Sequence, residues 1–556
     1  MIENIQKAHL MTELRRIFSI LIFEDKKLLW LAAIYGFGIS FLTLSVPVSV
    51  QMLINSISYT ASFQAVIILA LFLLFLLICS GVLSGLQIYI MELFERKIYV
   101  RLSSEITLRT IYADYQFSAN ANRTDYINRY FDIMTLQKVV PSLITGVFGL
   151  VLQMIVGVVV VSSYHPYLLI FNVLFLFSIW AILSFWGYDA IVSAFKVSQA
   201  KYETVRHIED IGQAYSFYGS EAHTDYGIKK SDHLIDSYTV KRISFFGHVF
   251  KQQIALLILY AICSAGLLGV GGVLVIDNQL TLGQLVASEL ILSTVFYNIS
   301  RSGSFLTQFY EMCAALEEIY RIYQMPLESP PRKFKNNDVC DVTYDEAVFL
   351  DDNNDDEERL IRLDFQVKQG SKVTFACEDI AIQNTIIQSI LGHFPPQSGR
   401  ILIGDTDLRD FSIRRLRDDI IVLDQPTVIE CTIREYLMMR DPDAKNSEIF
   451  DVLEHVELNN AISSLPQGLD SAMTVTGMPL SPDQVLRLKL AAAILARPSL
   501  LIVTQFFDTI PNHLYRRIFQ RLQSMEKMSL IYFTNREEDD IFNARYHVKN
   551  LIAQTS

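Results

Sequence analysis

A helix needs about 20 largely apolar residues to cross the hydrocarbon core of a bilayer, and residues 29–53, 63–90, 142–161, 167–186 and 254–276 each meet that length. A sixth stretch, 282–305, is less apolar and carries Glu289 and Arg301. Ionisable side chains are costly against lipid. These two are expected to face a cavity, a partner helix or the interface, or to sit at the span ends and snorkel.

Lysine and arginine decide which side each connection occupies. The short connections 55–62, 162–166 and 277–281 contain none, whereas 92–138 and 187–251 are rich in them, as is the segment before the first span. Both termini are therefore expected to be cytoplasmic. The two basic connections read as long helical excursions after spans two and four. The first 28 residues lack a short apolar core followed by a small-residue cleavage site, so a removable signal peptide is not expected. Within them, Leu14, Ile17, Phe18 and Leu21 give an amphipathic pattern suited to a helix lying on the membrane surface.

Composition fits this mosaic, since 51% of the 556 residues are hydrophobic while 19% are charged. The net charge of −12 and the lack of a basic stripe argue against nucleic acid, which is bound mainly through phosphate neutralisation. The six cysteines are scattered without a CxxC pair, which suggests neither a disulfide framework nor a zinc site. After Met325 the chain turns polar around Pro326, Pro330 and Pro331, as a linker does. The expected organisation is an amphipathic segment (1–28), a six-helix membrane domain (29–325) and a cytoplasmic α/β domain (326–556). In the last, 363–367 and 373–376 read as strands.

The segment DNQLTLGQLVAS (277–288) resembles the LTxGxLVA stretch that leads into the sixth helix of ABC exporters. The span topology and the C-terminal domain extend that resemblance from about residue 20 to 550. It implies a six-helix all-α membrane domain fused to an α/β ATP-binding cassette of the P-loop NTPase type. It also implies a multi-pass protein of a bacterial inner membrane that works as a dimer.

ACEDIAIQNTIIQSILG (376–392) aligns with the family's P-loop, GxxGxGK[ST], in which glycines let backbone N–H groups wrap phosphate while a lysine adds charge. Here the glycine positions hold Cys377, Ile380 and Ile382, the lysine position Gln383 and the magnesium-ligand position Asn384; Thr385 alone matches. β-Branched residues are poorly suited to positive φ, so the phosphate nest is not expected to form. The signature LSGGQ aligns with Ser481, Pro482, Asp483 and Gln484. A carboxylate near triphosphate is repulsive and proline removes a donor, so this half-site reads as weakened. The Walker B strand LLIVTQFFD ends in Thr504 and Gln505 where the family has aspartate and glutamate, and Gln505 cannot accept a proton from water. The switch histidine aligns with Asn535, the Q-loop glutamine with Asp424 beside Gln425, and the adenine-stacking aromatic with Asp351. The acidic run at 351–358 (DDNNDDEE) reads as a solvated loop or as a further charge opposing nucleotide.

The resemblance leaves two readings open. In one, the chain is a subunit of an exporter for an unidentified substrate, with catalytic residues absent. ATP and Mg then bind only at a composite site whose P-loop and base come from an ATPase-competent half-transporter, and a periplasmic adaptor is a further candidate partner. In the other, it is a non-hydrolytic membrane scaffold, sensor or assembly factor. An active stand-alone exporter would need a catalytic base and a phosphate lysine that the sequence does not supply. The aromatics Phe296, Tyr297 and Phe305 do not select a substrate.

Overall fold

The computed structural model describes residues 12–20, 23–59, 63–115, 128–300, 302–328, 341–351, 359–376, 379–411, 413–536 and 541–547. The chain divides into two compact units, Met1–Leu327 and Glu328–Ser556.

The first unit is helical: residues 12–20 (α1), Lys26–Thr43 (α2), Ser45–Tyr59 (α3), Phe63–Ile111 (α4), Tyr130–Leu143 (α5), Gly149–Ser162 (α6), Pro166–Gln213 (α7), Glu221–Ile276 (α8), Leu282–Ser300 (α9) and Gly303–Tyr323 (α10). Among the described residues six segments are long and apolar enough to span a membrane, the least apolar being Leu282–Ser300. The described part of the sixth span ends at Ser300, next to residue 301, which lies outside the described residues. Helices α4, α7 and α8, at 49, 48 and 56 residues, run about 70–85 Å at 1.5 Å per residue, more than twice the ~30 Å hydrocarbon core. Each is apolar in one part and charged in the rest, so the basic connections expected from sequence are continuations of the spanning helices.

Helix α1 packs on protein. Leu14 is buried in a cluster with Ile191, Phe245 and Tyr310, and Ile17 in a second cluster with Leu136, Val140 and Leu316. Leu21 lies outside the described residues. Beyond the spans, polar contacts tie helices together. Asp132 at the start of α5 meets Lys201 of α7 at 3.1 Å and accepts from the Tyr202 hydroxyl, and Arg129 meets Glu318 of α10 at 2.9 Å.

The second unit holds β1 (Val342–Asp351), β2 (Arg359–Val367), β3 (Lys372–Ala376), α11 (Ile380–Ile390), β4 (Ser398–Ile403), β5 (Thr406–Asp407), α12 (Ile413–Asp419), β6 (Ile420–Leu423) and β7 (Cys431–Thr432). There follow α13 (Ile433–Met438), α14 (Asn446–His455), α15 (Asn459–Ser463), β8 (Ala472–Met473), α16 (Pro482–Leu495), β9 (Leu500–Val503), α17 (Asn512–Gln523), β10 (Ser529–Phe533) and β11 (Ala544–His547). An antiparallel sheet has the order β2-β1-β4-β5 and a parallel sheet the order β11-β3-β10-β9-β6. The central parallel strands are uniformly buried, as sheets covered on both faces are. Ile382, Ile386 and Ile390 of α11 fill the space shared by strands of both sheets. The fully buried Tyr344 hydroxyl reaches Ser389 at 2.7 Å.

β1 carries a bulge at Glu346, which has φ +45°. It is closely faced by Gly399, at φ +74°, where an added Cβ would strike the Glu346 carbonyl. Gly399→Ala is expected to cost ~3 kcal/mol, and Gly468→Ala, at φ +54° facing open space, only ~1 kcal/mol. Urea midpoints of the two variants check the difference.

Burial pushes the Glu318 carboxyl above the usual carboxylate range, against the pull of Arg321 and Arg129. A carboxyl raised on folding contributes stability that is full at acid pH and is lost as pH rises through its folded value. Glu318→Gln removes that loss, so its melting temperature relative to the parent is expected to rise between about pH 5 and about pH 8. A constant offset across that range would contradict the assignment.

Candidate functional site

In an open parallel sheet, ligands bind in the crevice outside the carboxyl ends of the strands. Val503 of β9 pairs with Leu423 of β6, Tyr532 of β10 also with Val503, and Phe533 with Phe375 of β3. This register brings the positions after β3, β6, β9 and β10 to one edge: 379–385, 424–425, 504–505 and 535. Cys377 and residues 352–358 lie outside the described residues, as does the Asp351 side chain.

At this edge α11 starts at Ile380, so Ile380, Ala381 and Ile382 have helical backbone. Ile382 is buried in the core and Ile380 is 63% exposed. The helix start is capped by Asp379, whose Oδ1 accepts from Ala381 N–H at 2.8 Å. A helix N-terminus carries partial positive charge and free N–H donors that favour an anion; here a carboxylate of the chain itself takes that place. Gln383 is buried, and its Oε1 has no hydrogen-bond partner among the described residues. Asn384 is exposed, and the Thr385 hydroxyl donates back to the Ala381 carbonyl at 2.9 Å.

The end of β9 is equally self-satisfied. Thr504 is buried and donates through both its N–H and its hydroxyl, at 3.0 Å, to the Leu423 carbonyl. Gln505 is half-buried and opens a single turn of 3₁₀ helix, Gln505–Thr509. Within that turn Asp508 accepts from the Tyr532 hydroxyl at 2.5 Å, the Thr534 hydroxyl at 2.7 Å and the Asn535 N–H at 3.3 Å. Burial and the Asp508 charge push the Tyr532 phenol well up. Arg536 meets Asp508 at 3.4 Å, donates to the Asp508 and Ile510 carbonyls, and lies 4.3 Å over the Tyr515 ring. Asn535 itself is exposed.

Ser481 precedes α16. Its N–H donates to Gln484 Oε1 at 2.9 Å and its hydroxyl to Asp483 at 2.5 Å. Pro482 occupies the first helical position, where an N–H has no intrahelical acceptor to lose. Asp483 also pairs with Arg487 at 2.8 Å. Burial pushes its carboxyl up, but the Ser481 hydroxyl and the Arg487 guanidinium outweigh that and hold it below the usual carboxylate range. Five residues beyond Gln484, buried Lys489 reaches Asp424 Oδ1 at 2.5 Å and the Gln425 carbonyl at 2.8 Å. The segment after β6 is thereby pinned to the signature helix. Sequence reasoning missed both Lys489 and Arg536; the available signal was a lone lysine inside the apolar run LRLKLAAAIL.

The first unit contains a cavity of about 1270 Å³ between α5–α6, α7, α10 and α1. Phe305 lines it and Glu289 does not. Glu289 is half-buried with Oε2 unpartnered among the described residues. Phe296 is buried against Phe175, with ring centroids 4.5 Å apart, while Tyr297 is 47% exposed. Arg301 lies outside the described residues. No cluster of three or more potential metal ligands occurs among the described residues.

Residues 29–299 match the pattern of the ABC transporter transmembrane region, and residues 360–503 that of the ABC transporter. The chain belongs to the ABC transporter family. The structure of a bacterial Atm1-family ABC exporter with ATP bound has the same fold, with a TM-score of 0.80 at 16% identity over 96% of this chain and 94% of that one. Among curated relatives, the uncharacterized ABC transporter ATP-binding protein YknU of Bacillus subtilis is 27% identical over 43% of this chain and 42% of its own. The transport/processing ATP-binding protein ComA of Streptococcus pneumoniae is 22% identical over 84% of this chain and 66% of its own. The match to YknU, like that to the probable multidrug resistance ABC transporter ATP-binding/permease protein YheI of Bacillus subtilis (49%), spans less than half the relative's length. The two units are therefore an ABC transporter membrane domain and a cassette.

Within the cassette, Lys489→Met keeps the volume but releases the segment after β6. Because Asp424 is 61% exposed and can be solvated, the stability cost is expected to be small, ~1 kcal/mol. Amide exchange of 424–430 is expected to accelerate while that of β6 stays unchanged; equal protection in both proteins would show that the pin does not hold the loop.

Proposed function

We propose that this chain is one half of an ABC-type exporter whose own cassette neither grips nor hydrolyses ATP, so that turnover is supplied by a partner chain. The observation that carries this reading is the Asp379 cap. The helix that should present its N-terminus to phosphate starts early, through Ile380–Ile382, and ends on a carboxylate. Bringing triphosphate there would set anion against anion in a half-buried site, where repulsion is weakly screened. The lysine that would offset this is Gln383, and neither Thr504 nor Gln505 can serve as a carboxylate for magnesium or as a general base. The partner is a second six-span half-transporter with complete P-loop and Walker B elements. Both termini lie in the cytoplasm of a bacterial cell whose inner membrane holds the complex, and a periplasmic adaptor fits if the cargo is a polypeptide.

A second reading is favoured by one observation. Ser481 and Gln484, which a composite site would need to borrow, already satisfy Asp483 and their own helix start. A non-hydrolytic scaffold or sensor has no need to release them.

Titrating the purified full-length chain with a fluorescent ATP analogue and Mg is expected to give no saturable binding below about 1 mM, a free-energy ceiling of roughly −4 kcal/mol. Micromolar, magnesium-dependent binding, or phosphate release that disappears in Gln505→Ala, would overturn the reading. In a complex with an ATPase-competent partner, Ser481→Ala is expected to lower turnover about 10²-fold if the site is composite, by loss of one preorganised donor. Unchanged turnover selects the scaffold.

A further inference from the structure

The third span is not a uniform helix. α5 and α6 are joined by Ile144–Phe148, five residues of π-helical backbone, which follow Pro141 inside α5. Proline has no N–H for the carbonyl four residues back, and a π turn sets one extra residue into the ladder. Both are recognised causes of helix kinks. The Thr145 hydroxyl donates to the Pro141 carbonyl at 2.9 Å, a side-chain bond beside the irregular ladder. Gly146 lies within the π turn and Gly149 opens α6 with free space where a Cβ would be, so the backbone there is less confined than in the flanking helices.

A second interruption lies at Ser302, the residue before α10. It has turn backbone, at φ −71° and ψ 3°, and its N–H and hydroxyl both donate to the Ile299 carbonyl, at 3.0 and 2.7 Å. The Gln253 amide of α8 donates to the neighbouring Ser300 carbonyl. The two interruptions stand at one level. Phe305, in the first turn of α10, sets its ring against Gly146 so closely that a Cβ added at Gly146 would strike it.

On either side of that level the helices are cross-tied in pairs. α5 and α10 are joined by Ser142–Gln308 at 2.9 Å and by Arg129–Glu318 at 2.9 Å, and Leu136, Val140, Leu316 and Ile319 share one buried cluster. α6 and α9 are joined where Gly157 admits Ile291, which an added Cβ would strike, and Val161, Ile291 and Val295 share another cluster. One weak point in one helix would achieve little, because the neighbouring rod would resist bending. Two weak points at the same level let each pair tilt as a body while its own core stays packed.

We propose that residues 141–149 and Ser302–Gly303 form a paired hinge, latched by the Phe305 ring on Gly146, about which the α5–α10 pair tilts against the α6–α9 pair. The cavity is lined from both pairs, by Val140 and Leu306 on one and by Met154 and Ile299 on the other, so the tilt changes its width. The hinge belongs to the membrane unit alone and stands or falls separately from the reading of the cassette.

The test is amide hydrogen exchange on the purified full-length chain in lipid nanodiscs. In the parent, 144–149 is expected to exchange faster than 132–140 and 152–160 on either side. Phe305→Ala should accelerate 144–149 and 302–306 together by about tenfold or more, since truncating a packed phenylalanine frees a local opening, and leave both flanks unchanged. Gly146→Ala, which displaces the ring without altering it, should accelerate the same two segments. Phe305→Leu, a milder change, should act in the same direction. Pro141→Ala, which restores an N–H, should slow 144–149. Phe309→Ala is the control: it lines the same cavity and should leave 144–149 unchanged. Protection of 144–149 equal to that of its flanks in the parent would overturn the proposal. So would a response of one segment without the other, or an acceleration by Phe309→Ala as large as that by Phe305→Ala, the result expected of general loosening.

Discussion

A helix exposes four unpaired N–H groups at its start, and what satisfies them at α11 sets the character of the whole strand edge around it. Asp379 takes one of them, the Ala381 N–H, with its own carboxylate. The helix can then begin at Ile380, and Ile382 can turn into the core. The neighbouring elements are settled in the same way. Thr504 is tied to Leu423, Asp508 gathers Tyr532, Thr534 and Arg536, and Lys489 holds Asp424. A crevice that in an open parallel sheet is free to receive a ligand is here filled by polar groups that bond one another, with the buried Gln383 Oε1 left unpartnered among the described residues.

The membrane unit divides its labour differently. Its polar contacts gather in the helix extensions, where Arg129–Glu318 and Asp132–Lys201 join α5, α7 and α10. Burying such pairs gains little net stability over apolar packing, yet breaking one leaves an uncompensated charge. The extensions are therefore held in register by groups that tolerate few alternatives. Within the apolar part, packing leaves room. Helices in lipid gain no hydrophobic drive toward one another, and a cavity the size of the one beneath α1 persists between them.

The spans were legible because length and hydropathy alone fix them, and the least apolar one by composition is also the least apolar among the observed six. Their ends were not, since α4, α7 and α8 continue as helices long after the apolar stretch stops. Strand β1 escaped notice because the bulge at Glu346 breaks the two-residue alternation, and β11 because four residues carry too little pattern. In the cassette, the positions gathered at the strand edge could be read from the family motif. The interactions that replaced the expected chemistry could not. Lys489 and Asp424 are 65 residues apart, and Arg536 and Asp508 28; no local period records such pairings. Asp379 was the exception in principle, as an acidic residue immediately before an apolar-periodic helix is a cap signal.

The 56-residue α8 carries a mechanical implication. A continuous rod of about 85 Å acts as a lever: tilting it by about 5° displaces its far tip by roughly 7 Å, more than one helical turn. Small torques applied at one extremity become large excursions at the other, and no hinge is required along the way. Whatever supplies the torque need move only slightly.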